Sequence, residues 1–392
     1  FDLAVKLNRI GLPIVIFLGF TYVFSGYLHS SEIFGPPAIM GLPYNLIFII
    51  FLLFFAKKDH IEGLMLASVI AASTQFLIQV PAIKYQGYRY SLDVNLEDPY
   101  LKKALLLVLP VMIGSAVQQI NIIVDKTLAS NLVDGSISAL TYASRINDLI
   151  IAVFVMAITT VVFPMLAKAF SNENYSQVNK IMGLGINIIL IITVPATIGM
   201  LLLAEPIIKI FFERGAFTEI ATLMTSQALI FYSLGLVASS LRMLLNRVYY
   251  SFQDTRSPMI NGITAVAANI SLNLILVESM GHAGLALATS ISTTFATLLL
   301  FINLRKRLGK IGLKRYLICF FKTLFASIVM GLFVYLIYFK LTPLLPSVWI
   351  VELLMLLLSV AVGVFIYVIM CSALRVREMR ILLRTIVSKF SK

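Results

Sequence analysis

Polar side chains recur at helical spacing inside one apolar stretch of the chain. Ser115, Gln118, Asn121 and Asp125 follow one another at intervals of three or four residues, which places them on one face of a helix. Ionisable groups at membrane depth cost roughly 2.5–3.5 kcal/mol each, so they usually face a cavity or a partner. Hydrogen bonds between helices would explain the glutamine and the asparagine, but they explain Asp125 less well. We therefore expect this face to line a cavity.

A second set of polar residues opens the next apolar stretch. Thr141, Arg145 and Asp148 again stand at helical spacing. Arg145 and Asp148 have the separation of an i, i+3 ion pair, which would stabilise the start of a helix. Alternatively, an arginine in a cavity can bind phosphate through two parallel hydrogen bonds. Spacing alone does not decide between these two interpretations.

Oxygen-bearing side chains also stand one turn apart in two later apolar stretches. Asn269 and Asn273 are separated by one helical turn, and so are Thr289 and Thr293. Together with Asp125 they offer oxygen ligands of the kind that a hard cation such as sodium accepts. This grouping assumes that the three stretches are neighbours in space. On sequence alone, polar packing between helices is the simpler explanation.

The sequence contains no arrangement typical of a catalytic centre. His29, His60 and His282 are isolated, and no GxSxG, HExxH or P-loop motif is present. Cys319 and Cys371 lie far apart within apolar runs, which indicates buried thiols and not a disulfide or a metal site. We therefore expect a protein that is not an enzyme and holds no organic cofactor.

The composition places these polar stripes in a membrane. Of the 392 residues, 60% are hydrophobic and 12% are charged, and the mean hydropathy is +0.96. Soluble domains are about half apolar and a quarter charged. A helix needs roughly 20 apolar residues to cross a hydrocarbon core of about 30 Å. Hydropathy predicts an all-α, polytopic membrane helix bundle with about eleven spans, near residues 10–28, 38–56, 62–82, 102–128, 137–166, 177–203, 218–250, 257–278, 282–304, 316–340 and 347–371.

The distribution of positive charge predicts the orientation in the membrane. A net charge of +13 would suggest nucleic-acid binding in a soluble protein, but in a membrane protein it marks cytoplasmic loops. Lys and Arg cluster at 305–315 and at 375–392, two spans apart, so both segments and the C-terminus should be cytoplasmic. Residues 374–392 alternate arginine with apolar residues at helical spacing, which is typical of an amphipathic helix on anionic lipid. A helix that docks on a partner protein would show the same pattern.

Several segments together resemble the MurJ/MviN family of the multidrug/oligosaccharidyl-lipid/polysaccharide exporter superfamily. They are QQINIIVDKTLAS from Gln118, LTYASRINDL from Leu140, FFERGAFT from Phe211, RVYYSFQDTRSPM from Arg247 and GHAGLALATSIS from Gly281. The resemblance implies a fourteen-helix transporter of two lobes plus two C-terminal helices. Because the chain begins with Phe1 and shows no signal-peptide pattern, we expect three N-terminal helices to be missing. The implied division is 1–92 for the remainder of the first lobe, 93–310 for the second lobe, 311–373 for the two additional helices and 374–392 for the tail.

The resemblance also implies a function and a set of site residues. Members of the family are held to flip lipid II, an undecaprenyl-pyrophosphate-linked peptidoglycan precursor, across the bacterial plasma membrane by alternating access. By this similarity Arg145, with Gln118, Asn121 and Asp148, is expected to line the cationic cavity that meets the pyrophosphate. A sodium site is implied for Asp125, Asn269, Asn273 and Thr289, and the membrane potential is the alternative coupling force. The expected partners are lipid II or a related polyprenyl-pyrophosphate glycolipid, membrane lipids and cell-wall synthesis proteins, with no nucleic acid.

Two other functions fit the same sequence. A flippase for O-antigen or capsular polysaccharide would differ only in the glycan that it carries. A membrane scaffold that recruits wall-synthesis enzymes through its basic tail would not transport at all.

Overall fold

The computed structural model describes residues 2–31, 33–55, 61–87, 97–309, 311–346 and 348–379. Within these ranges the chain forms helices and connecting turns, without a β-strand. The expected all-α membrane bundle is therefore confirmed. The chain divides into two compact units, Phe1–Leu96 and Glu97–Lys392.

The first unit is built around one small-residue helix. It contains α1 (Asp2–Gly11), α2 (Pro13–Ser30), α3 (Gly35–Ile39), α4 (Gly41–Phe54), α5 (Ile61–Leu77) and α6 (Val80–Tyr85). Helix α5 buries Ala67, Ala71 and Ala72, and small side chains of this kind let helix backbones approach closely inside a bilayer. Just beyond α5, the buried Gln79 accepts a hydrogen bond from Ser25 of α2 at 3.0 Å.

The second unit contains ten α-helices within the described ranges. They are α7 (Pro99–Ser130), α8 (Ser136–Ile150), α9 (Met156–Ser171), α10 (Tyr175–Phe212), α11 (Glu219–Leu234), α12 (Leu236–Ser251), α13 (Arg256–Met280), α14 (His282–Leu308), α15 (Leu313–Tyr335) and α16 (Trp349–Ala373). A π-helical turn, Ile151–Val155, joins α8 to α9, and a π-helix and a 3-10 turn, Leu336–Leu341 and Thr342–Leu344, follow α15. The long helix α10 is the most buried of the candidate spans, and α9, α11, α12, α15 and α16 pack against it.

Nine continuous helices in the described ranges are long and apolar enough to cross a membrane, and the bent pair α11 and α12 makes a tenth span. The eleventh expected span, residues 102–128, lies in α7, which is not among those ten but has 32 residues. At 1.5 Å per residue this helix is about 48 Å long, enough to cross the hydrocarbon core. The chain is a multi-pass membrane protein.

The expected single span at 218–250 is wrong in one respect, because the structure breaks it at Gly235. Helices α11 and α12 meet there at an angle of 48°. Ser290 of α14 packs directly against Gly235, and a Cβ on Gly235 would lie 2.9 Å from the Cα of Ser290. The hydroxyl of Ser290 also donates to the carbonyl of Phe231 at 2.6 Å. Glycine therefore allows α14 to approach the bend closely.

The beginning of the predicted tail helix also differs from expectation. Helix α16 ends at Ala373, and Arg375 adopts a left-handed backbone with φ of 54°. A continuous amphipathic helix from Leu374 is therefore excluded, since this turn interrupts it. Residues 380–392, the larger part of the predicted tail, lie outside the described residues. The two cysteines are free and buried, as expected.

Candidate functional site

A polar cavity of about 980 Å³ lies inside the second unit, between α7, α8, α12 and α14. Most of the site residues predicted from the sequence line it, namely Gln118, Asn121, Asp125, Arg145, Asp148 and Thr289. The one-face spacing in α7 is the reason that three of these side chains share a wall. A volume of this size is at the upper end for small-molecule sites in proteins.

Arg145 projects into this cavity from α8. Its side chain and that of Asp148 are both exposed, and no ion pair joins them among the described residues. Both interpretations of this spacing therefore stay predictions.

Helix α12 brings polar residues to the cavity that sequence reasoning missed. Ser239, Arg242 and Asn246 line the wall opposite Arg145's helix. Their spacing of three and four residues follows the same rule that identified the stripe in α7, so this signal was present in the sequence. Gly262 of α13 lies against the guanidinium of Arg242, and a Cβ there would be in ordinary van der Waals contact with Nη2 at 3.7 Å. Lys126 of α7 also lines the cavity.

Two buried amide oxygens in the wall have no hydrogen-bond partner in the described structure. They are Oδ1 of Asn147 and Oδ1 of Asn246. Buried polar atoms are normally paired, and an unpaired one costs about 1–3 kcal/mol.

A cluster of oxygen-bearing side chains adjoins the cavity where α7, α13 and α14 meet. Asn273 donates to Asp125 Oδ1 at 2.6 Å, and Asn121 donates to Asp125 Oδ2 at 3.3 Å. Asn269 and Asn273 are buried behind the wall, with 2% and 0% of their surfaces exposed. Thr289 reaches Asn269 from α14, with 3.4 Å between its hydroxyl and the amide. The four residues predicted to bind sodium are thus brought together.

The orientation of the Asn269 amide decides the hydrogen bonds within this cluster. One terminal atom of the Asn269 amide lies 2.9 Å from Asn121 Oδ1 and 3.3 Å from Asp125 Oδ1. The same atom lies 2.9 Å from the nitrogen of Asn273. With nitrogen at this position, Asn269 donates to Asn121 and Asp125, and its oxygen accepts from the hydroxyl of Ser292 at 3.2 Å.

The cluster also offers the ligand types of a cation site. Convergent carboxylate, amide and hydroxyl oxygens are the ligands that hard cations take, and the buried Oδ1 of Asn273 has no other partner in the described structure. The cluster contains one carboxylate, Asp125, among neutral donors, which matches a singly charged ion. The residues present therefore fit sodium.

Comparisons with known proteins identify the family. Residues 1–360 match the family model described as lipid II flippase MurJ. A probable lipid II flippase MurJ from Rickettsia prowazekii (strain Madrid E) is 32% identical over 298 residues, which are 75% of this chain and 58% of that protein. The lipid II flippase MurJ of Burkholderia cenocepacia is 29% identical over 313 residues, 78% of this chain and 61% of that protein. The chain thus spans about three-fifths of the length of these relatives.

Solved structures show the same relationship. A lipid II flippase MurJ in an inward closed conformation matches 95% of this chain and 75% of its own length, with a TM-score of 0.76 and 26% identity. An inward-facing multidrug resistance transporter of the MATE family matches 79% of this chain and 72% of its own length, with a TM-score of 0.66 and 17% identity. The second likeness concerns the fold alone. By the family match over residues 1–360, this chain belongs to the MurJ lipid II flippase family.

Proposed function

We propose that this chain forms most of a flippase that moves lipid II from the cytoplasmic to the outer leaflet of the bacterial plasma membrane by alternating access. The observation that carries the proposal is the pair of cavity arginines, Arg145 and Arg242, neither of which forms an ion pair among the described residues. A cation kept at membrane depth without a protein partner is costly. An anionic ligand that binds the arginines offsets this free-energy cost.

The chemistry of the cavity matches the head group of a pyrophosphate-linked glycolipid. Each guanidinium can hold phosphate oxygens through two parallel hydrogen bonds. Polar side chains of the lining, such as Gln118 and Ser239, would hydrogen-bond with sugar hydroxyls or peptide groups. The prenyl chain would stay in lipid, because transferring it into a polar cavity would lose the hydrophobic free energy of its burial.

The oxygen cluster supports sodium as the coupling ion. Asp125 comes from α7, Asn269 and Asn273 from α13, and Thr289 from α14, so a bound cation would draw three helices of the cavity together. Such an ion shifts a conformational equilibrium only as far as it binds one conformation better than the other. Coupling to the membrane potential, without a defined sodium site, is the competing proposal.

Complementation tests the arginine proposal. The complete gene carrying Arg145→Ala or Arg242→Ala should fail to rescue cells depleted of their own flippase, because each change removes a charge-assisted phosphate contact. Arg145→Lys should rescue only partly, since lysine lacks the bidentate fork. Lys306→Ala, which removes an exposed cation outside the cavity, is the matched control and should rescue fully.

Two further measurements separate the alternatives. Normal growth with both arginine variants at normal expression would remove these residues from the site. If the unaltered gene rescues O-antigen or capsule export but not peptidoglycan synthesis, the carried glycan is different. Binding of purified protein to lipid II, compared with the alanine variants, distinguishes loss of substrate binding from loss of a later step.

The orientation and the tail complete the proposal. The positive-inside distribution supports a cytoplasmic C-terminus, and a C-terminal reporter that is active only in the cytoplasm tests this. Recruitment of wall-synthesis proteins by the tail is tested by deleting residues 380–392. This deletion keeps Glu378, which forms a salt bridge with Arg315 of α15. Loss of partner binding with intact flipping would assign a recruiting role to the tail.

A further inference from the structure

A second cavity, of about 580 Å³, opens on the second unit between α10, α12, α14 and α15. Its lining is apolar and includes Leu190, Val194, Leu241, Phe301 and Phe320. Polar groups in the wall are partly occupied by the protein itself. The hydroxyl of Thr297, for example, donates to the carbonyls of Ala238 at 2.9 Å and Thr293 at 2.8 Å. This apolar groove shares no residue with the polar cavity described above.

The apolar groove opens to the surrounding lipid. Leu298, Ile302 and Leu317 line it, and 56%, 51% and 56% of their surfaces are exposed. In a membrane protein these exposed apolar side chains contact acyl chains. A lipid can therefore enter the groove from the side without crossing a polar barrier.

The length of the groove is close to one leaflet of a bilayer. Along α14 the lining runs from Thr294 to Arg305, a rise of about 16 Å at 1.5 Å per residue. Along α15 it runs from Leu313 to Leu324, again about 16 Å. Half of a hydrocarbon core of about 30 Å is about 15 Å. The groove thus accommodates one ordinary acyl chain along its length, whereas an undecaprenyl chain is several times longer.

A cation stands at one end of the groove. Arg305 lines it, is exposed and forms no ion pair among the described residues. Its neighbour Arg307 is occupied, because it binds Asp254 at 2.7 Å. The nearby acid Glu378 is likewise paired, with Arg315. The end of the groove therefore carries uncompensated positive charge at the position where a lipid's phosphate would lie.

From this combination of leaflet length, apolar lining and terminal arginine, we propose that the groove binds an anionic phospholipid of the leaflet that Arg305 faces. One acyl chain lies between α10, α12, α14 and α15, and the phosphate rests on Arg305. Basic pockets between transmembrane helices bind anionic head groups in this way. The bound lipid fills the space between α15 and the helices of the polar cavity, so it stabilises the packing of α15.

Native mass spectrometry of the complete protein tests the site with phosphatidylglycerol and phosphatidylcholine as probes. Wild type should retain one phosphatidylglycerol in preference to phosphatidylcholine. Arg305→Ala should weaken phosphatidylglycerol binding by about tenfold and abolish the preference, because a charge-assisted hydrogen bond is lost. Lys306→Ala, which removes the adjacent cation outside the groove, should leave both unchanged. Equal retention of the two lipids, or an equal loss in the two variants, would overturn the proposal.

A second pair of variants tests the acyl chain's position. Leu298→Trp places a large side chain in the groove and should reduce phosphatidylglycerol retention, whereas Ile318→Trp, on the exposed face of α15 outside the groove, should not. A phosphatidylglycerol with a photoreactive acyl chain should crosslink to peptides that contain Phe301 or Leu317. Crosslinks elsewhere would overturn the proposal even if Leu298→Trp fails to fold. Competition by a polyprenyl-pyrophosphate lipid, with no effect of Arg305→Ala on phosphatidylglycerol, would instead assign the groove to the carried glycolipid.

Discussion

Replacing Glu378 by Gln should lower the stability of the second unit measurably. The carboxylate is buried, with 4% of the residue exposed, and it accepts hydrogen bonds from Asn187 of α10 at 2.8 Å and from Arg315 of α15 at 2.6 Å. Breaking a buried ion pair costs about 3–5 kcal/mol, but the side chain of Arg315 is 51% exposed, so water recovers part of that. We expect a loss of about 1–3 kcal/mol, the range for hydrogen bonds to charged groups.

Thermal unfolding in detergent, followed by intrinsic fluorescence, measures this loss. A drop of about 2–8 °C in Tm corresponds to the expected free energy. Glu62→Gln is the matched control, because its pair with Lys6 has side chains that are 61% and 43% exposed, and exposed pairs contribute at most about 1 kcal/mol. If the two variants lower Tm equally, the buried cluster does not hold the C-terminal segment as described.

The pH dependence of the same experiment has a defined sign. Burial alone would raise the pKa of the Glu378 carboxyl, but hydrogen bonds from Asn187 and Arg315 outweigh it and hold the pKa below its usual value of 4.5. A carboxyl with a lowered folded pKa stabilises the protein above the unfolded pKa, and the stabilisation is lost as the pH falls through the folded pKa. The Tm difference between wild type and Glu378→Gln should therefore be constant near neutrality and shrink as the pH falls below about 4.5. A difference that grows on acidification would refute the assignment.

Two further predictions concern the site. Asp125→Asn should abolish any sodium dependence of transport in vesicles, because it removes the one carboxylate of the oxygen cluster. Lipid II binding at Arg145 should stay intact. A sodium dependence equal to that of wild type would exclude the oxygen cluster as the ion site. Gly284→Ala should lower the free energy of unfolding by about 1–3 kcal/mol through overpacking, because its Cβ would overlap the carbonyl of Leu276. The control Gly199→Ala in α10 has no atom within 4 Å of its Cβ and should leave Tm equal or slightly higher. A similar loss of stability in both variants would contradict the close approach of α13 and α14.

The membrane architecture and one wall of the cavity could be predicted because they follow from local rules. Long apolar stretches in a bilayer must satisfy their own backbone hydrogen bonds, so each becomes a helix. Once α7 is a helix, the spacing of Gln118, Asn121 and Asp125 fixes their common face. The same rule applied to α12 would have found Ser239 and Arg242 as well.

The remaining features depend on contacts between distant parts of the chain. The bend at Gly235 is invisible to hydropathy, because the residues on both sides of it are apolar and the residue that packs against it, Ser290, belongs to another helix. In the sequence, Glu378 is a single acidic residue within a basic tail. Its hydrogen-bond partner Asn187 lies 191 positions away, so the spacing of residues does not predict this contact. The orientation of the Asn269 amide is likewise decided by three helices together.

The π-helical turn Ile151–Val155 has a consequence for the register of the span that carries Arg145. Such a turn holds one residue more than an α-helical turn, and each residue rotates the helix by about 100°. Deleting one residue there, such as the exposed Val153, would let α8 and α9 run on as a regular helix. Because the wide turn already completes about one rotation with its extra residue, this deletion would shorten the span while Arg145 and the buried Thr159 keep nearly the same relative direction. A deletion in the regular part of α8 or α9 would instead turn Arg145 by about 100° relative to Thr159, and cysteine labelling at the two positions would distinguish the two outcomes.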